Sequence, residues 1–241
     1  MYTEQYRGPI TNRGLIKALN IRDGSPCMGN LDFLGLRLSD LIGKKILDVG
    51  MGGGKTLDHA LELGLNFFGL DILPLIDPTP LEPMKRTAVL TQRAEYERVR
   101  NKYPDRVQAV NFCSAEVPYS SDEFDIVLSA VALPDYARSS KEAIYSILNM
   151  IKLAREKVVF HCGWNPDIDF SGGVILGNLP VLFRFGMKDF LEDLKSTTGI
   201  TYALHKSNLP DLNPLLTNLT IDTRQKDTVA LQAMFEELTN H

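Results

Sequence analysis

A glycine-rich turn between an apolar run and a helical pattern constrains the fold of this chain more than any other feature. Residues 48–54 read Asp-Val-Gly-Met-Gly-Gly-Gly and directly follow the apolar pair Ile46 and Leu47. Glycine lacks a Cβ and accepts positive φ, so a ligand can lie against bare backbone at such a turn. The helix that follows directs unpaired N–H groups and the positive end of its dipole towards that ligand. The turn therefore predicts a strand–turn–helix unit that binds a nucleoside-like cofactor.

Two common nucleotide-binding patterns fit this turn poorly. A phosphate-binding P-loop requires G-x-x-x-x-G-K-[ST], and although residues 54–56 supply Gly-Lys-Thr, Val49 stands where the first glycine should be. The dinucleotide pattern G-x-G-x-x-G fits Gly50 and Gly52, but it needs a third glycine where Lys55 stands. Neither nucleotide hydrolysis nor dinucleotide binding is the best interpretation of the turn.

A third pattern, acid-x-G-x-G-x-G, is met at all of its fixed positions, which are Asp48, Gly50, Gly52 and Gly54. It resembles motif I of the class I S-adenosylmethionine-dependent methyltransferases. Residues 66–71, Asn-Phe-Phe-Gly-Leu-Asp, are similar to the second strand of that family, which ends in an acid for the ribose hydroxyls. A carboxylate suits this task because it accepts two hydrogen bonds at once from a diol. The resemblance thus implies that S-adenosyl-L-methionine is the cofactor and that Asp71 binds its ribose.

Further cofactor contacts are implied by the continuation of this resemblance, which covers about residues 40–165. Residues 114–119 and 124–129 are similar to the stretch that joins the adenine pocket to the fourth strand. The family usually has aspartate where this chain has Ser114, so the usual side-chain contact to the adenine amine is not implied here. The resemblance still implies that the Ala115 N–H serves a ring nitrogen of the adenine. Asp48 either orients the methionine amine or braces the turn. The implied cofactor contacts are Asp48, Gly50, Gly52, Gly54, Asp71, Ile72, Ser114, Ala115, Glu116, Ser129 and Ala130.

The remaining sequence alternates strands and helices, as is typical of a parallel sheet covered on both faces. Strands are predicted at residues 45–49, 66–71, 107–112, 125–129 and 157–161, with two further β-rich runs at 201–205 and 228–234. Helices are predicted at 56–63, before Gly64, at 84–102, and after a capping box at Ser139. With the resemblance, these elements imply an α/β, doubly wound, mostly parallel seven-stranded sheet of Rossmann-like methyltransferase type, with a terminal antiparallel edge strand.

Length and composition agree with one enzyme-sized domain. The chain has 241 residues and is 44% hydrophobic, which is enough for a full core. Residues 1–43 and 163–186 exceed what the bare fold needs. We expect them to form an N-terminal cap and a lid-like insertion that exclude water from the carboxyl edge of the sheet. The alternative is that they pack as extra helices on the sheet.

Charge and cysteine usage limit the expected partners. A net charge of -4 argues against a broad nucleic-acid-binding face. Cys27, Cys113 and Cys162 are few and widely spaced, which predicts reduced thiols, no metal site and a cytoplasmic protein. No apolar run approaches the length of a membrane span. Nothing in the sequence decides between a monomer and an oligomer.

The methyl acceptor and any catalytic base are expected beyond the fourth and fifth strands. Methyl transfer needs an acceptor in line at about 3 Å, and an oxygen or protonated amine also needs a base. Asp135 and His161 are the candidate bases. We therefore expect methyl transfer to an oxygen or nitrogen of a small-molecule acceptor. An RNA or protein methyltransferase and a non-catalytic cofactor-binding regulator are the alternatives.

Overall fold

The computed structural model describes residue 31 and residues 34–113, 117–130, 132, 137, 139–162, 181–206 and 217–240. The strands are β1 (Lys45–Val49), β2 (Asn66–Asp71), β3 (Val107–Ala109), β4 (Phe124–Ser129), β5 (Ala154–Cys162), β6 (Thr201–Lys206) and β7 (Thr217–Asp222). The helices are α1 (Leu38–Leu41), α2 (Lys55–Glu62), α3 (Pro83–Lys102), α4 (Ser140–Leu153), α5 (Val181–Thr198) and α6 (Thr228–Asn240), and a short 3-10 helix spans Leu73–Leu75.

The described strands form one sheet in the order β3-β2-β1-β4-β5-β7-β6. β1 pairs in parallel with β2 on one side and with β4 on the other, so their carboxyl ends meet at one edge. β7 runs antiparallel to both β5 and β6. The predicted doubly wound, mostly parallel fold is confirmed. The antiparallel strand β7, however, lies between β5 and β6, so β6 is the edge strand at that end of the sheet.

Alternating side chains of the strands supply two hydrophobic cores, one on each face of the sheet. One core joins Leu47, Val127 and Phe160 of the sheet to Ile147, Leu194 and Leu231 of α4, α5 and α6. The other joins Ile46, Phe67 and Leu128 of the sheet to Leu41, Leu57 and Tyr96 of α1, α2 and α3. Because both faces are covered, consecutive residues of the central parallel strands, such as Ile46 and Leu47 of β1 or Val127 and Leu128 of β4, are buried in opposite cores.

Helix ends follow the predicted signals. α2 is followed by Gly64, which has φ of +79° and donates its N–H to the Leu61 carbonyl. Ser139 is the N-cap of α4, and its hydroxyl accepts a hydrogen bond from the Glu142 N–H at 3.2 Å. Glycine after a helix and serine before one satisfy backbone groups that the helix leaves unpaired.

Two strand predictions are wrong, for different reasons. The predicted strand at 107–112 ends at Ala109, because β2, its only neighbour, ends at Asp71 and offers no further partner. Residues 228–234 belong to helix α6. The Asp227 carboxylate accepts hydrogen bonds from the N–H groups of Val229 and Ala230 and so starts that helix. The seventh strand is β7, which the sequence pattern did not reveal.

Most of the predicted cap and lid lie outside the described residues. In the predicted cap, the described part includes α1. Leu34, Leu36 and Leu41 are buried in the core that the sheet forms with α1, α2 and α3. In the predicted lid, residues 181–186 are the first residues of α5. None of the helices in the described part of the chain combines the length and apolar character that crossing a membrane requires.

Candidate cofactor site

The glycine turn folds as the sequence predicts, at the carboxyl end of β1. Gly50, Gly52 and Gly54 have φ of +78°, +60° and +75°, which side-chain-bearing residues rarely adopt. The N–H groups of Gly50 and Met51 both donate to the Leu70 carbonyl of β2, at 2.9 and 3.1 Å. The turn is therefore attached to β2 as well as to β1, and α2 begins directly after it.

The glycines of the turn serve different steric purposes. A Cβ on Gly50 would lie 2.3 Å from the Cβ of Ala132, and one on Gly54 would lie 3.2 Å from Cγ1 of Val99. A Cβ on Gly52 would meet no atom within 4 Å. A Cβ on Gly50 would thus overlap Ala132, and one on Gly54 would be a tight contact with Val99, whereas Gly52 borders open space. Of the three, Gly52 is the one where a ligand can lie against the backbone.

Asp71, at the end of β2, connects the turn to the segment that follows the strand. Its Oδ2 accepts the Gly52 N–H at 2.7 Å, and its Oδ1 accepts the Leu73 N–H at 2.8 Å. The side chain is buried, and burial raises the pKa of Asp71 to about 6 although these N–H groups favour the charged form. The backbone N–H groups of Gly52, Leu73 and Ile72 do not fill the roughly four acceptor positions of this carboxylate. Ile72, between these contacts, is half-buried.

Asp48 is a second buried carboxylate beneath the turn. It is 3% exposed, and no described residue donates a hydrogen bond to its Oδ1. Burial and the nearby charge of Asp71 raise the pKa of Asp48 to about 7. A buried acceptor without a donor is costly, and such atoms in a pocket commonly await a ligand or water.

Ser129 and Ala130 lie at the end of β4, next to the end of β1. Ser129 is fully buried, and its hydroxyl donates to the Val49 carbonyl at 2.8 Å. This contact ties β4 to β1 directly below the turn. Ala130 is half-buried and packs against the core on the α1–α3 face.

His161 lies near the end of β5, opposite Asn218 of β7 in the antiparallel register. Its Nδ1 is 3.3 Å from Oδ1 of Asn218, and both side chains are buried. No local pattern marks Asn218, because its partner stands on a strand far away in the sequence. Asp135, Ser114, Ala115 and Glu116 lie outside the described residues. Within the described ranges, no group of three or more His, Cys, Asp or Glu side chains is placed to bind a metal ion.

No protein-family model matches this sequence, and no curated protein matches it significantly. Many solved structures do match. A proposed O-methyltransferase from Nostoc punctiforme is 17% identical, with a TM-score of 0.50 over 86% of this chain and 59% of that one. The methyltransferase domain of bacterial CtHen1 is 14% identical, with a TM-score of 0.50 over 80% of this chain and 98% of that one. This chain has the fold of the S-adenosylmethionine-dependent methyltransferases.

A third match is magnesium protoporphyrin IX methyltransferase from Synechocystis, solved with bound S-adenosylmethionine. It is 13% identical, with a TM-score of 0.43 over 76% of this chain and 72% of that one. At these identities the likeness is one of fold. In this methyltransferase fold, the glycine turn, Asp48 and Asp71 lie at the carboxyl edge of the sheet, where open α/β sheets bind ligands.

Proposed function

We propose that this protein binds S-adenosyl-L-methionine at the glycine turn and transfers its methyl group to an oxygen or nitrogen of a small molecule. One observation carries the proposal: the space beside Gly52 is open, and the Gly52 N–H donates to the buried carboxylate of Asp71. A second buried carboxylate, Asp48, is close enough to Asp71 for the charge of Asp71 to raise the pKa of Asp48. A ligand that presents both cationic groups and hydroxyl groups suits such a site. The methyltransferase fold, in which this edge of the sheet binds ligands, supports the same assignment.

The two carboxylates have different tasks in this proposal. Asp71 binds the ribose diol, since a carboxylate has about four acceptor positions and the backbone N–H groups around it leave room for a hydroxyl donor. Asp48 binds the methionine ammonium, directly or through water, because its Oδ1 is buried and none of the described residues donates to it. Ser114, Ala115, Glu116 and Ile72 complete the adenine end in the proposal, and backbone groups of Ser129 and Ala130 face the methionine end.

The charges on α3 support a small acceptor over an RNA. Arg98 and Lys102 both pair with Asp58, at 2.9 and 2.7 Å, and Lys102 also pairs with Glu62 at 2.8 Å. Arg100 lies 3.8 Å from Glu97. Cations that are already paired attract phosphates less strongly than a coherent basic face does.

The acceptor side of the site lies at the ends of β4 and β5. We propose that alignment of the acceptor supplies much of the rate and that His161 or Asp135 removes a proton where the acceptor carries one. The cap at 1–43 and the lid at 163–186 would exclude water from this side of a single domain.

Calorimetric titration with S-adenosylhomocysteine tests the cofactor assignment. We expect micromolar binding by the wild type and a loss of about 1–3 kcal/mol in Asp71→Ala, which leaves the ribose diol unpaired. Transfer of labelled methyl groups to pooled small metabolites, total RNA and total protein in parallel then identifies the acceptor class. A wild type that does not bind S-adenosylhomocysteine would refute the proposal. Binding without transfer to any pool would favour the regulator.

A further inference from the structure

The segment that follows β2 is held at its start by hydrogen bonds to both the N–H and the carbonyl of Leu73. The Leu73 N–H donates to Asp71 Oδ1 at 2.8 Å, and its carbonyl accepts from Nη2 and Nε of Arg93 at 2.9 and 3.3 Å. The same Nη2 also donates to the Ile76 carbonyl. One residue, Leu73, therefore connects the buried carboxylate to a guanidinium on α3.

The far end of this segment has a separate anchor of the same chemical kind. Arg86 donates to the carbonyls of Pro78, Thr79 and Leu81, at 3.2, 2.5 and 3.1 Å. Arg86 and Arg93 stand two turns apart on one face of α3. Between the two anchors lies a small hydrophobic cluster of Leu73, Ile76, Leu81 and Val89. Both ends of the segment are thus anchored to α3. Only the end held by Arg93 is connected to the Asp71 carboxylate, through Leu73.

We propose that Arg93 is a positioning residue that holds the Asp71 carboxylate in the orientation a ribose diol requires, an inference that rests on the proposed function. The Gly52 N–H and the Leu73 N–H donate to different oxygens of the carboxylate and so orient it. Leu73 keeps its N–H in place because Arg93 holds its carbonyl. Without the guanidinium, the 3-10 turn keeps its backbone hydrogen bonds, from Leu75 N–H to the Ile72 carbonyl and from Ile76 N–H to the Leu73 carbonyl, but loses its side-chain anchor on α3. We expect the Leu73 N–H to be held less precisely against Asp71 as a result. Precise placement of a binding group depends on such supporting contacts.

Binding of two ligands to matched variants tests this role. The ligands are S-adenosylhomocysteine and its 2′-deoxy analogue, which lacks one hydroxyl of the diol. Sites built to hydrogen-bond a hydroxyl discriminate against analogues without it, so we expect the wild type to prefer the parent by about tenfold. Arg93→Met should reduce this preference to about threefold or less. Arg93→Lys, which keeps a cationic donor, should recover part of it. Arg86→Met, which removes the distant anchor of the same segment, should keep the wild-type preference.

Each outcome decides between a positioning role and a merely structural one. If Arg93→Met weakens both ligands equally, or if Arg86→Met behaves like Arg93→Met, the positioning role is wrong. Should Arg93→Met fail to fold, Arg93→Lys decides, because an ammonium does not reproduce the three guanidinium contacts to the Leu73 and Ile76 carbonyls. An unchanged tenfold preference in Arg93→Lys would then show that these contacts do not position Asp71. If the wild type prefers the parent ligand and Arg93→Met keeps that preference, this inference is wrong and the proposed function is unaffected. A wild type that binds neither ligand removes the proposed function and this inference together.

Discussion

The buried Asp48 carboxylate makes opposite contributions to stability and to the proposed binding. The pKa of Asp48 is about 7 in the folded protein, above its ordinary 3.8. Between about pH 4 and pH 7 the carboxyl is therefore protonated in the folded state and ionised in the unfolded state. Stability of the unliganded protein therefore falls as the pH rises from about 4 to about 7, and the penalty is fully present above pH 7. A rise in the pKa of Asp48 from 3.8 to about 7 corresponds to a loss of at most about 4 kcal/mol in the free energy of unfolding.

Asp48→Asn should consequently stabilise the unliganded protein while weakening cofactor binding. We expect a gain of about 2 kcal/mol in the free energy of unfolding at pH 8 and almost none at pH 4. The gain is smaller than the upper limit because burying the asparagine amide also costs free energy. Urea denaturation measures both values. Asp58→Asn is the contrasting control. Burial raises the pKa of Asp58, but hydrogen bonds from Lys102 and Arg98 outweigh it and hold that pKa below its usual value. Asp58→Asn should therefore lose up to about 1 kcal/mol at pH 8.

The same carboxylate predicts pH-dependent binding. Below pH 7, Asp48 must release a proton before it can pair with an ammonium, so affinity for S-adenosylhomocysteine should fall about tenfold between pH 8 and pH 6. Calorimetry at both values measures this change. In Asp48→Asn the affinity should be low at both values and nearly independent of pH. A wild-type affinity that stays constant from pH 8 to pH 6 would contradict a role for Asp48 in binding the ammonium.

Gly52 and Gly64 offer a matched pair for separating backbone strain from ligand contact. Both have positive φ, +60° and +79°, and a Cβ on either would meet no protein atom within 4 Å. Alanine at each position should therefore cost about 1–2 kcal/mol of stability through the left-handed backbone alone. Only Gly52→Ala should also weaken S-adenosylhomocysteine binding, by at least tenfold, because its methyl group would occupy ligand space. Equal affinities for the two variants would show that the ligand does not lie against Gly52.

At the scale of elements, the sequence located the strands whose ends build the site and misplaced those at the periphery. β1 and β2 have the predicted bounds, because each is a short apolar run followed by a change in backbone direction at glycine or acid. β3 was predicted too long, since the apolar run continues after the partner strand has ended. α6 contains β-branched residues at its start, but burial of Leu231 and Phe235, one helical turn apart, decides for helix.

Contacts between distant elements were beyond local patterns. The glycine turn, Asp48 and Asp71 were predicted because their spacing is a pattern within 24 consecutive residues. The Arg93–Leu73 and His161–Asn218 contacts join residues 20 and 57 positions apart, and nothing near either partner encodes the other. Only the packing of α3 on the 3-10 helix, and the pairing of β7 with β5, brings these residues together.

Lys226 is another long-range contact, and it completes the carboxyl end of α4. Its ammonium donates to the carbonyls of Ile151 and Ala154, at 2.7 and 2.5 Å, and lies 2.6 Å from Asp122 Oδ1. The side chain is 4% exposed, and burial lowers the pKa of Lys226 against the opposing effect of Asp122. A distant lysine thus satisfies carbonyls that the last turn of a helix leaves unpaired.

Lys226→Met should destabilise the protein by about 2–4 kcal/mol, because buried carbonyls lose their donor. The affinity of the folded protein for S-adenosylhomocysteine should not change. The Lys226 contact with Ala154 lies where β5 begins, whereas the glycine turn lies at the carboxyl ends of the parallel strands. Arg224→Met is the control, because its ion pair with Asp222 is exposed and should contribute less than about 0.5 kcal/mol. Urea denaturation and calorimetry measure the two quantities. A loss of affinity in Lys226→Met would indicate that the two edges of the sheet are coupled.

For the whole molecule, the proposed ligand should stabilise the fold through the strands that it connects. The site draws on the ends of β1 and β2 together with the start of α2, so a bound ligand favours the folded chain as a unit. S-adenosylhomocysteine at 100 times its dissociation constant should add about 2.7 kcal/mol to the free energy of unfolding. For a domain of this size that corresponds to a rise in Tm of about 5–11 °C, measurable by scanning calorimetry. The rise should persist in Gly64→Ala and be much smaller in Gly52→Ala at the same ligand concentration. An equal rise in both variants would mean that the ligand stabilises the protein from a site other than the glycine turn.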